Sequence, residues 1–353
     1  RMKTLVIGGG LSGLAVADGL QASAQEFLLI DARDRFGGRM ETACAGETRF
    51  DLGPAWFWPG QPRMASLVSR LGLTKFAQFA TGELVYEDEH GHVRRGLGYS
   101  SMEGSWRIES GFTALTDAME QRISPQSKML NAHVKRLEFR KERCAAILGD
   151  GREVSSDQVV LAMPPRIAAN IEFSPKLPAS SYAYLRAVPT WMAGQAKVVA
   201  VYQSSFWRDS GLSGDAMSRR GPMVEIHDAS PKTGGPCALF GFVGIAPQAR
   251  LNKEALREAA VDQLVRLFGE DAAEPTALFV KDWATDPLTA TPLDAAMAQA
   301  HPTYGLPSSL RGLQHGRLIF AGTEVAPHYG GYLEGALEAA EAALACLAKR
   351  KAA

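Results

Sequence analysis

The stretch MKTLVIGGGLSGLAVADGLQASAQEFLLID, residues 2–31, decides how this chain folds. Met2–Ile7 is apolar enough to form a buried strand. Gly8, Gly10 and Gly13 follow it at the spacing of a dinucleotide-binding turn. The first allows the tight turn, the second lets backbone approach a pyrophosphate, and the third lets a helix pack closely on the strand. Residues 11–22 read as that helix, with Leu11, Leu14, Ala15 and Leu20 on or near one face. Its first residues, Leu11 and Ser12, would point unpaired N–H groups and a positive dipole end at phosphate. Glu26–Ile30 is a second strand, and Asp31 at its end stands where an acid binds ribose hydroxyls. Three glycines alone could serve any strand-to-helix turn. The strand, the helix and the acid around them make a dinucleotide site.

Working outward, Asp31-Ala32-Arg33-Asp34-Arg35-Phe36-Gly37-Gly38-Arg39 extends the motif. Gly37 and Gly38 would let this loop fold back over a pyrophosphate, with Arg39 as a planar cation for it and Arg33 near the adenosine end. The run resembles the extension that follows the nucleotide fingerprint in flavin-containing amine oxidases. A second likeness lies in Phe50-Asp51-Leu52-Gly53-Pro54-Ala55-Trp56-Phe57-Trp58, where Gly53, Ala55 and Trp56 fall at positions that lay backbone along the flavin in that family. Pro54 replaces a glycine there and removes one N–H donor. A third lies near the C-terminus, where Gly322-Thr323-Glu324 and Tyr329-Gly330-Gly331-Tyr332-Leu333-Glu334-Gly335 match the family's flavin-closing segment without a gap.

Length and composition set the bounds. At 353 residues, with 46% hydrophobic and 22% charged residues, the chain is expected to form about two globular domains. A net charge of zero gives no electrostatic footprint for nucleic acid or an anionic membrane. No apolar run approaches the roughly 18 residues that span a bilayer, and no leader pattern precedes the first strand. Cys44, Cys144, Cys237 and Cys346 lack metal or redox spacing and read as reduced thiols of a cytoplasmic protein. His90 and His92 flank a glycine in a polar turn, which reads as a solvated loop; no metal site is expected.

The remaining pattern gives an α/β fold. A helix is expected near 62–71, polar hairpin material after it, an amphipathic helix over 112–123 and strands at 133–139 and 159–163. Residues 144–154 make a hairpin turned by Asp150-Gly151. Strands at 196–203, 239–244 and 277–282 and a helix at 253–268, with Ala259, Leu264 and Leu267 inward, form a second layer; 205–237 reads as its loops. A strand at 318–321 runs into a final helix from 333 to about 349, with Leu333, Leu337, Ala340, Leu344 and Leu347 in one stripe. The expected architecture is a Rossmann-like FAD-binding domain (1–62, 108–186 and 284–353) with a mixed sheet-plus-helix substrate domain (63–107 and 187–283), similar to the two-domain arrangement of amine oxidases and p-hydroxybenzoate hydroxylase.

The resemblance further implies particular roles. FAD would lie along Gly8, Gly10, Leu11, Ser12, Gly13, Asp31, Ala32, Arg33, Gly38 and Arg39, then Gly53, Pro54, Ala55 and Trp56. Val134 would meet the adenine through its backbone, Glu324 the ribityl chain, and Leu333 the pyrimidine end of the flavin, with Trp283, Gly322, Gly331 and Tyr332 nearby. Reduction places negative charge near that end, which a helix N-terminus stabilises. Gly330 falls where some members bond the flavin through cysteine, so the FAD would be non-covalent. Lys197 begins a Lys-x-x-Val-x-Tyr pattern followed by Phe206-Trp207-Arg208, where the family lysine holds a water against flavin N5. Tyr332 would form one wall of an aromatic pair; the opposite wall falls near Leu293, where no tyrosine stands. Trp58, Phe242 and Tyr329 are further pocket candidates. The segment 62–107 is shorter than its family counterpart, which implies a small or open roof.

The implied chemistry is transfer of hydride from a C–N bond to FAD, reoxidation by O2 to H2O2, and hydrolysis of the imine. The partners are then a small amine and O2. Alternatives within the superfamily are a renalase-like dihydronicotinamide oxidase, a protoporphyrinogen- or phytoene-type enzyme, or a redox-neutral flavin mutase. A flavin-binding protein without turnover is a fourth reading. No acidic cluster visible in the sequence selects a polyamine, and no arginine stands out to grip an amino-acid carboxylate.

Overall fold

The computed structural model describes residues 3–352; Met2, counted in the expected first strand, lies outside the described residues. Five strands form a parallel sheet in the order Leu318–Phe320, Gln158–Leu161, Lys3–Ile7, Glu26–Ile30, Lys128–Met129. Both faces of this sheet are covered, which is why its strands are continuously apolar. Val6 and Leu29 face a layer of helices, while Leu5, Ile7, Leu28 and Ile30 face the opposite side. The helical layer holds Leu11–Ala22, Thr113–Gln121 and Leu333–Ala352. The opposite side carries a four-stranded sheet that includes the hairpin Cys144–Leu148 and Glu153–Ser156.

The turn after the first strand is tight. Gly8 has φ +104°, and a Cβ there would run into the Ala162 carbonyl. The Gly13 position has no room for a side chain either, because its helix packs directly on the Gly8 backbone.

Seven strands form the second sheet, in the order Ala277–Asp282, Ala196–Tyr202, Cys237–Val243, Met223–Asp228, Leu212–Ser218, Glu83–Glu87, Val93–Gly96. The pairs are antiparallel except Leu212–Ser218 with Glu83–Glu87, which is parallel. One face packs on the helix Lys253–Phe268 through Val198, Ala200, Leu239 and Ile226, against Leu256, Ala260 and Leu264. The inward alanine of that helix is Ala260 rather than Ala259, which is half-buried. The other face, with Val199, Val201 and Phe240, meets Phe50, in the short hairpin strand Thr48–Asp51, and Leu52 just after it.

The segment 205–237 differs most from expectation. It holds a short helix, Phe206–Asp209, and two strands of the second sheet, Leu212–Ser218 and Met223–Asp228. Both strands lie inside the sheet and are buried except at Met217 and Val224, with Glu225 partly buried, so the regular alternation that marks a half-buried strand is missing. Their buried polar groups, Ser213, Asp215, His227 and Asp228, are satisfied by one another and by neighbours instead.

Candidate active site

A cavity of about 880 Å³ runs from the Gly8 turn to the seven-stranded sheet. Gly8, Gly10, Leu11, Ser12, Asp31, Ala32, Arg33 and Val134 line one end. The first helix begins where Leu14 N–H bonds the Gly10 carbonyl, so the N–H groups of its first residues have no acceptor within the helix. A Cβ added to Gly10 would meet no protein atom nearer than 3.9 Å. Nothing in the chain itself demands glycine there, and the free space belongs to a ligand lying against the turn. An elongated cavity with a phosphate-binding helix end, an acid and a distant aromatic end fits FAD.

Two of the expected cofactor side chains are already committed. The Asp31 carboxylate accepts N–H bonds from Gly9 at 2.7 Å and Arg33 at 2.8 Å. Arg33 donates to Asp286 at 2.9 Å and Thr289 at 3.0 Å, so it pins the 286–289 turn over this end of the cavity. Further along, Gly38 and Arg39 line the cavity, and Arg39 donates to Glu324 at 2.6 Å. Glu324 is fully buried behind Arg39 and does not itself line the cavity. Burial opposes the Arg39 charge, but Glu324 more than restores it and raises the guanidinium above its ordinary value. The site keeps a cation beside the path a pyrophosphate would take.

At the sheet end the walls are Gly53, Pro54, Ala55, Trp56, Trp58 and Phe242, with Trp283, Gly322, Gly331, Tyr332 and Leu333 opposite in the chain. Trp283 is fixed by its indole N–H, which donates to the Leu52 carbonyl at 3.0 Å. Lys197 lines this end and is 3% exposed. Its amine donates to the Gly53 carbonyl at 3.1 Å and lies 4.1 Å from the Phe240 ring centre. Burial pushes this amine down to about 7, against the pull of Asp51 and with a further push from Arg107. Tyr332 is 45% exposed and stacks on His301, with centroids 4.8 Å apart and planes 5° apart. A histidine thus braces the tyrosine wall. Leu293, the position opposite it in sequence terms, is half-exposed and does not line the cavity.

Tyr329 does not belong to the pocket. Its hydroxyl donates to the Gly60 carbonyl at 3.0 Å, and the ring is not among the cavity walls. A turn residue's side-chain direction depends on the two chain segments meeting there, which sequence spacing does not carry.

The structure adds a group that sequence reading passed over. His227 lies buried between two acids: Nδ1 is 2.6 Å from Asp215 Oδ1, and Nε2 is 2.6 Å from Glu225 Oε1. A neutral imidazole has one N–H and cannot donate to both. Burial resists protonation, but the two carboxylates outweigh it and hold the imidazole above its ordinary value. Glu225 lines the cavity. The hydrogen bond from His227 holds its carboxyl below the usual range, against partial burial. The E-x-H spacing in Val224-Glu225-Ile226-His227 places both side chains on one face of a strand, and this was the available signal once 223–228 is known to be a strand.

A sequence model of the family described as flavin containing amine oxidoreductase matches residues 80–347, and one described as an NAD(P)-binding Rossmann-like domain matches 6–71. The chain is 25% identical to flavin-containing amine oxidase B of Sus scrofa, over 96% of this chain and 84% of that protein. It is 24% identical to the human amine oxidase B, with the same coverages. Among solved structures, cyclohexylamine oxidase from Brevibacterium oxydans superposes with a TM-score of 0.85 at 21% identity, covering all of both chains. Putrescine oxidase bound to putrescine superposes with a TM-score of 0.82 at 19% identity, covering 99% of each. The family match spans most of the chain, and the cavity fits the cofactor. This protein belongs to the flavin-containing amine oxidoreductase family and is an FAD-dependent oxidase.

Proposed function

We propose that the protein oxidises a small amine at the sheet end of the cavity, using O2 as acceptor. The observation that carries this reading is Lys197, buried at the aromatic end of the cavity with an amine tuned to about 7. Bound FAD would supply the redox chemistry, namely hydride transfer from the carbon bearing nitrogen and reduction of O2 to H2O2, with hydrolysis of the imine product in water. The chain supplies the rest. Trp56, Trp58 and Phe242 form apolar walls that favour an uncharged amine and exclude bulk water, and Tyr332 orients it. Lys197, which spends one N–H on the Gly53 carbonyl, would hold a water beside bound flavin with another. Segments 1–62, 108–186 and 284–353 act together as the cofactor domain, and 63–107 with 187–283 as the substrate domain.

The test is anaerobic. The visible flavin band is followed as monoamines, diamines and amino acids are added in turn. Bleaching by an amine, followed by one H2O2 per substrate on admitting air, is the expected result. A flavin that no amine bleaches and a dihydronicotinamide does would overturn the reading.

A further inference from the structure

The seven-stranded sheet contains a ruler. Lys197 pairs with Phe242, and Phe242 pairs with Glu225, so the three stand in one row across three adjacent strands. All three line the cavity, on the same face of the sheet. Neighbouring strands lie about 4.8 Å apart, which places the Lys197 and Glu225 backbones about 10 Å apart. The row therefore leads from the proposed site of oxidation, past an aromatic wall, to a carboxylate.

That carboxylate is built to receive something. Oε1 is occupied twice, by His227 at 2.6 Å and by the Ser101 hydroxyl at 2.8 Å. Oε2 has no hydrogen-bond partner among the described residues, and the side chain is 25% exposed where it lines the cavity. With both carboxylates ionised and His227 protonated, Asp215, His227 and Glu225 sum to one negative charge. The remaining lining carboxylate, Asp31, sits at the nucleotide end, where each oxygen accepts a backbone N–H. A single held anion at the far end of an aromatic channel matches one cation at the far end of a substrate.

We propose that Glu225 is a specificity-determining residue that binds a second, distal cationic group, so that the substrates are short aliphatic diamines rather than monoamines. This rests on the amine-oxidising reading of the same cavity. The proximal amine is uncharged when oxidised, and the distal ammonium donates to Glu225 Oε2, a charge-assisted bond in a partly desolvated site. His227 is a positioning residue: it fixes which oxygen faces the cavity and keeps the acid ionised.

The experiment compares α,ω-diamines of increasing length with the matching n-alkylamines, in wild type, Glu225→Gln and Glu225→Asp. In wild type, kcat/KM should favour the best diamine over its monoamine by about ten- to a hundred-fold, the range of one charge-assisted hydrogen bond. Glu225→Gln should abolish that preference, mainly through KM. Glu225→Asp keeps the charge but withdraws it by one methylene, so it should move the optimum to a longer diamine, a shift that a purely structural role would not produce. Calorimetric binding of 1,4-diguanidinobutane against butylguanidine gives a readout without turnover and should show the same loss in Glu225→Gln. If monoamines bleach the flavin and diamines gain nothing, or if Gln and Asp variants lower both substrate series equally, the assignment to Glu225 is wrong while the amine reading stands. If no amine bleaches the flavin, the amine reading fails and takes this one with it.

Discussion

Lys197 is an amine almost wholly removed from water, and its behaviour can be predicted in two ways. As the group proposed to stand at the flavin edge, it should matter for turnover. Lys197→Met keeps the length of the side chain and removes the amine, and should lower kcat by about a hundred-fold, the low end for a positioned acid–base group. Stopped-flow measurement of flavin reduction and reoxidation will show which half-reaction slows; equal rates in variant and wild type would remove Lys197 from the chemistry. As a buried base, it should shape stability. The amine titrates near 10.5 when free and at about 7 here. Below about pH 7 both folded and unfolded chains carry the proton, and the penalty for burying the charge is fully present. Between 7 and 10.5 the unfolded chain holds more protons, so unfolding free energy rises with pH, by up to about 1.4 kcal/mol per unit. Subtracting the Lys197→Met melting profile from that of wild type between pH 7 and 9.5 should expose this slope, and a flat difference would contradict the burial argument. Lys197 could be singled out from sequence because it begins a Lys-x-x-Val-x-Tyr run followed by Phe206-Trp207-Arg208, the pattern that carries the resemblance to the family. Glu225 could not, because its identity as a site residue depends on which strand its own strand pairs with.

At the scale of elements, the legible pieces are those whose apolar period is undisturbed. The helices Leu11–Ala22 and Lys253–Phe268 and the strands Glu26–Ile30 and Ala277–Asp282 fall where the pattern puts them. The two strands inside 205–237 were hidden by polar residues that are buried and paired, since Asp215 and His227 look like loop residues until their partners are known. A similar effect governs the last helix. Glu334, in its first turn, is fully buried and reaches a different helix, accepting from Arg63 N–H at 2.9 Å and Met64 N–H at 2.8 Å. These belong to the first turn of Pro62–Arg70, whose N-cap, Gln61, makes no side-chain capping bond. The carboxylate supplies the cap from outside and ties that helix to the one that begins at Leu333, beside the cavity. Glu334→Ala leaves buried N–H groups without an acceptor and should cost about 2 kcal/mol. For a chain of this length that lowers the melting temperature by about 3 °C. Glu334→Gln retains an acceptor and should lose less; an Ala variant that melts with wild type would show that water caps the helix equally well.

For the whole molecule, the cavity is closed by segments far apart in sequence: the Gly8 turn, the loop through Arg39 and Trp56, Val134, the Lys197 strand and the turn before Leu333. They already share contacts such as Lys197 to the Gly53 carbonyl and Gly37 N–H to the Gly9 carbonyl, and a ligand touching all of them should act as a further staple. Removing FAD should therefore lower the melting temperature, and adding it back at about a hundred times its dissociation constant should restore about 2.7 kcal/mol. How the flavin is held follows from the same geometry. Gly330, where the resemblance would place a flavin-bonded cysteine, has no room for a side chain: a Cβ there would lie 2.6 Å from the Ala326 carbonyl and within 2.8 Å of the Tyr304 ring. Cys44, Cys144, Cys237 and Cys346 are free thiols, and none of them lines the cavity. A thioether to the flavin therefore has no donor sulfur in the cavity wall, and the cofactor should come away without breaking a bond. Precipitating the holoprotein with acid should leave the yellow flavin in the supernatant and a colourless pellet. Colour that stays with the pellet would mean a covalent link through a side chain other than cysteine, and the mass of the flavin peptide would name it.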